Sequence, residues 1–77
     1  MSTVLVFARS QMGDGDSGLG RKVLATFLRK SIAFHDLRSL LFYNDGVLLV
    51  APDSPVLTEL KLLEERGVDV IPCGTCL

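Results

Sequence analysis

Three short apolar runs, separated by two stretches of helical periodicity, constrain this chain more than any other feature. The runs are "TVLVFA" (residues 3–8), "SLLFYN" (39–44) and "VDVIP" (68–72). Each is strand-sized and nearly continuous in apolar residues, the pattern of parallel strands covered on both faces. Between the first two, Leu19, Val23, Leu24, Phe27, Leu28 and Ile32 recur at helical spacing, with Asp16 or Ser17 positioned as the N-cap. Before the third, Ser54 is placed as an N-cap, Pro55 suits the first helical position, and Gly67 supplies a left-handed stop. Within that second helix Val56, Leu57, Leu60 and Leu63 form one apolar face, opposite Glu59, Lys61, Glu64, Glu65 and Arg66. Strand alternating with helix predicts an α/β fold, a small three-layer arrangement with a mostly parallel sheet. Right-handed crossovers about a central first strand give a strand order near 2-1-3. The stretch "DGVLLVA" (45–51) leaves two readings: a hairpin at Asp45 and Gly46 returning as another strand, or an extended connection to the next helix.

With 77 residues the chain holds one domain, residues 1–77. Hydrophobic residues make up 48%, more than so small a domain readily hides, and three parallel strands leave open sheet edges. Both point to a homo-oligomer. The net charge of −1 carries no basic stripe, which argues against nucleic acid as a partner. No apolar run is as long as a membrane span, and "MSTVLVFARSQ" lacks the basic start and long apolar core of a signal peptide. The expected setting is therefore cytoplasmic and reducing, with no membrane partner. There a Cys-x-x-Cys pair is more often catalytic or metal-binding than a structural staple.

Parallel strands end on one side of the sheet, and ligands bind there. That side gathers the loop from Arg9 through Met12, Gly13, Asp14, Gly15 and Asp16, the turn Asn44, Asp45 and Gly46, and the terminal Cys73, Gly74, Thr75 and Cys76. His35, the single histidine, enters the second strand from the opposite side. The loop "GDGDSG" (13–18) satisfies the spacing G-x-G-x-x-G, yet its two aspartates would repel a pyrophosphate, and no lysine follows to make a P-loop. Tight turning and helix capping account for the same residues. No cofactor is implied. The two thiols admit four readings: half of a zinc site closed only by a dimer, a redox dithiol, inert packing residues, or an exposed sulfur-carrying nucleophile. Zinc needs four ligands, so one chain offers no metal site. A redox dithiol needs a helix N-terminus after its first cysteine to lower the pKa. Gly74 turns the chain at the site end, which favours an exposed thiol over a packed one, and Arg9 is the cation placed nearest to assist it.

Taken together, "MGDGD", "FYNDGV" and "GVDVIPCGTCL" resemble segments of the DsrE/DsrF-like sulfur-relay family, in particular the C-terminal domain of YedF-type proteins associated with selenium metabolism. The resemblance extends over essentially the whole chain. It implies a small, self-associating DsrE-like α/β domain that accepts sulfane sulfur, or selenium, on a cysteine and passes it between donor and acceptor proteins, a sulfurtransferase-like relay. By position, Cys73 and Cys76 are the candidate acceptors, and the glycine-rich loop with Asn44, Asp45 and Gly46 walls the pocket. Against the family pattern, the chain reads as a short member lacking a C-terminal helix and strand. A separate reading keeps the same fold as a binding or oligomerisation module with silent cysteines.

Overall fold

A computed structural model describes residues 2–76, with the side chain of Cys76 outside that set. The order of elements is β1 (Thr3–Phe7), α1 (Ser17–Lys30), β2 (Leu37–Phe42), α2 (Leu57–Glu65) and β3 (Asp69–Pro72). All strands are parallel, which establishes the α/β class.

The strand order is β1-β2-β3, so the expected order near 2-1-3 is corrected: β2, not β1, is central. Right-handed crossovers are compatible with either order, and they differ in where the helices land. Reversing direction at β1 would put α1 and α2 on opposite faces of the sheet. Stepping onward from β2 to β3 puts both on one face, where they pack against each other. The single core they form joins Leu24 and Leu28 of α1, Leu60 and Leu63 of α2, and Phe7, Leu40 and Phe42 of the sheet. A chain this small gathers more apolar area in one such core than in two thin ones. The expected three layers are therefore two.

Strand alternation fixes which side chains face that core. Leu5, Leu40 and Val70 lie in one cross-strand row and Phe7, Phe42 and Pro72 in the next. Phe7 and Phe42 stack with ring centroids 5.2 Å apart, and Phe27 of α1 meets Phe7 edge-on at 6.4 Å. The intervening rows, Val4 with Ser39 and Asp69, and Val6 with Leu41 and Ile71, face away from the helices. Val4, Val6 and Ile71 remain 45–55% exposed there.

Local signals set the helix ends. The Asp16 carboxylate accepts the Leu19 N–H at 2.9 Å and caps α1. At the other end the buried Ser31 hydroxyl donates to the Leu28 carbonyl at 2.6 Å. Ser54 does not cap α2 directly: its hydroxyl accepts the Val56 N–H at 3.2 Å in a turn before the helix. Gly67, at φ +93°, ends α2 as expected. Its N–H donates to the Glu64 carbonyl, and that of Val68 to Leu63, the paired bonds of a Schellman motif.

Residues 45–51 follow neither reading taken from the sequence. Asn44–Val50 is a 3₁₀ run, not a strand or an extended link. Gly46 and Val47 are buried, as are Leu49 and, in part, Val50 three residues on, while Asp45 and Leu48 face solvent. That is a three-residue period. The hairpin reading needed left-handed backbone at Asp45 and Gly46. The structure puts it at Asn44 instead, at φ +50°.

Candidate functional site

Two backbone bonds tie the three strand ends into a single rim. The Tyr43 N–H donates to the Phe7 carbonyl at 3.1 Å, and the Cys73 N–H to the Phe42 carbonyl at 2.8 Å. Cys73 thus leaves β3 directly beside the end of the central strand. It is half-buried and packs against the hydrophobic core. Gly74 and Thr75 are exposed, in a short 3₁₀ turn over Gly74–Cys76. The Cys76 side chain, the other candidate acceptor, lies outside the described residues.

The turn at the end of β2 is tightly seated. A Cβ on Gly46 would overlap the Phe7 carbonyl oxygen, so only glycine lets the chain cross the end of β1 so closely. Asn44, in left-handed backbone, and Gly46 together carry the 3₁₀ run over the end of β1. Asn44 and Asp45 are exposed on it.

The glycine-rich loop is organised by its own bonds. Arg9 pairs with Asp14 at 3.0 Å, both side chains well exposed. The Gln11 side chain donates to the Gly13 carbonyl at 3.2 Å, and Gly13 adopts φ +88°. Met12 N–H donates to the Gly20 carbonyl at 3.0 Å, and Gly20 packs against the Met12 carbonyl too closely for any side chain. Asp16 is occupied as the cap of α1, while Gly15 is exposed and makes no close approach. The carboxylates of this loop therefore serve the loop and the helix.

The strand order decides which of these groups are neighbours. Gly46 of the turn abuts the Phe7 carbonyl at the end of β1, while Cys73 is bonded to Phe42, the last residue of β2. The β1 loop, with Arg9, is separated from β3 by the whole of β2, about 10 Å at ordinary strand spacing. The Arg9 guanidinium, expected to assist the Cys73 thiol, is paired with Asp14.

A second feature of this rim was not read from the sequence. On the helix side, a cleft of about 340 Å³ opens between the start of α1, the 3₁₀ run and the start of α2. Ser10, Arg21, Leu48, Asp53, Ser54 and Val56 are among its walls. Arg21, directly after the glycine-rich loop, was the available sequence signal. His35 lies at the opposite end of the sheet, beside Phe34 and Arg66. Among the described residues no three His, Cys, Asp or Glu side chains converge as a metal site, and no helix is long and apolar enough to cross a membrane.

No protein-family model matches the chain, and comparison with curated proteins and with solved structures returns no match.

Proposed function

We propose that the chain is a sulfur carrier of the DsrE-like, sulfurtransferase-like type, with Cys73 as the accepting thiol. The observation that carries this reading is the seat of Cys73 at the carboxyl end of β3, held by its N–H on Phe42, the last residue of the central strand. A thiol at the carboxyl rim of a parallel sheet stands where such sheets present their ligands. In the transfer, the Cys73 thiolate attacks the terminal sulfur of a donor protein's persulfide. A new S–S bond forms on Cys73, the donor's S–S bond breaks, and the donor leaves as a thiolate that takes up the proton. An acceptor thiolate then removes the outer sulfur in the same way, restoring Cys73. Selenium in place of sulfur follows the same steps. Donor and acceptor are thiol-bearing proteins, in a cytoplasmic, reducing setting.

The fold also suits a binding module with silent cysteines, a reading favoured by the contact of Cys73 with the core. Incubating reduced protein with a persulfide donor and weighing it intact separates the two. The carrier reading expects a gain of one sulfur atom that survives in Cys76→Ser and is lost in Cys73→Ser. A protein that stays at its reduced mass is the binding module.

A further inference from the structure

The two edges of the sheet are unlike. β3 is four residues long, carries Asp69, and ends in Pro72, which has no N–H to offer. Charge, proline and brevity are the usual guards of an exposed edge. β1 is "TVLVF", with neither charge nor proline. Its Thr3 N–H and Phe7 carbonyl are directed at the β2 side, to Asp36 and Tyr43. Alternation then turns the backbone N–H and C=O of Val4 and Val6 outward, to an edge that no strand covers among the described residues.

An apolar groove runs alongside this edge. Two cavities share Met12 and Phe27: one of about 280 Å³ lies between β1 and α1, and one of about 440 Å³ lies on the outer side of α1 along Leu19 and Val23. On that side Leu19, Val23 and Phe27 form a stripe at four-residue spacing, with Leu19 61% and Val23 45% exposed. An unguarded strand edge and an apolar helix stripe thus share one wall of the molecule.

We infer that this wall is the interface of a two-fold homodimer in which β1 pairs antiparallel with β1 of a second copy, making one six-stranded sheet. The spacing fits. Phe27 packs on Phe7, so α1 crosses above β1 and its neighbour. With strands about 4.8 Å apart, an axis at the new β1–β1 pair sets the two α1 helices roughly 10 Å apart. Packed helices lie about 8–10 Å apart, so the two Leu19–Val23–Phe27 stripes meet. Antiparallel pairing also brings the Arg9 end of one β1 towards the end where the other copy holds Asp36, bonded to Thr3 at 2.9 Å. A 14-residue helix is about 21 Å long, and the wall is one sheet layer plus one helix deep, roughly 20 Å. Taken flat, that footprint is roughly 400 Å², about half of the roughly 800 Å² that each partner of a standard interface buries, so the dimer is a small, concentration-dependent one.

The test is sedimentation of the full chain with thiols kept reduced, alongside Val6→Pro, Leu19→Glu and Ile71→Lys variants. Val6→Pro removes an outward N–H at a position where an edge strand accepts proline. Leu19→Glu alters an exposed helix residue and leaves the β1 backbone intact. The expected result is a dimer for the parent chain and for Ile71→Lys, with dimer affinity weakened at least roughly tenfold in the other two at unchanged circular dichroism. A parent chain that sediments as a monomer throughout overturns the inference. So does a dimer that Leu19→Glu leaves intact, or one that Ile71→Lys alone dissolves, which would place the interface on the open sheet face.

Discussion

Single residues at the rim are held by backbone contacts more than by charge. Gly46 lies so close to the Phe7 carbonyl that Gly46→Ala must push the 3₁₀ run off the end of β1. The expected cost is roughly 1–3 kcal/mol, as for overpacking, read as a lower urea midpoint. Asp16→Ala removes the cap of α1 and should cost about 1 kcal/mol in the same assay. Asp16 was legible in the sequence because its signal is local: a carboxylate three residues before a helical N–H. Gly46 was misread for a physical reason. In "NDG" the glycine suggested a hairpin, but it is needed for lack of a side chain, and that requirement comes from β1, far away in the sequence. The left-handed conformation fell instead to Asn44.

At the scale of elements, the strands and helices could be read from periodicity, and their arrangement could not. β1 and β2 are equally apolar runs, so nothing local says which is central. The decision rests on α1 and α2 packing together over one face, a contact between segments about 30 residues apart. The run 44–50 shows the same limit: buried Val47 and Leu49 flank exposed Leu48, which over three residues is the signature of a strand as well as of this 3₁₀ turn. Helix ends are more self-contained. Gly67→Ala puts a side chain at φ +93° and should cost about 1–2 kcal/mol, seen as earlier thermal unfolding. Leu28→Ala opens the core where α1 meets the sheet and should cost about 2–5 kcal/mol by urea titration.

For the whole molecule, the two-layer arrangement sets both the site and its surroundings. One sheet face carries the helices, and the other leaves Val4, Val6 and Ile71 exposed. All three strand ends meet on one rim, so the sequence placed the candidate residues on the correct side of the sheet. It misjudged their spacing across that rim, because an order with β1 central would have set the glycine-rich loop beside β3. With β2 between them, Cys73 has the end of β2 at Phe42 for its neighbour, and the proposed carrier chemistry rests on that seat. The most direct test uses the Cys76→Ser variant, in which Cys73 is the sole thiol. After exposure to a persulfide donor and digestion, the peptide containing Cys73 should carry one added sulfur atom, released when an acceptor thiol is supplied. A Cys73 peptide that remains at its reduced mass would contradict the account.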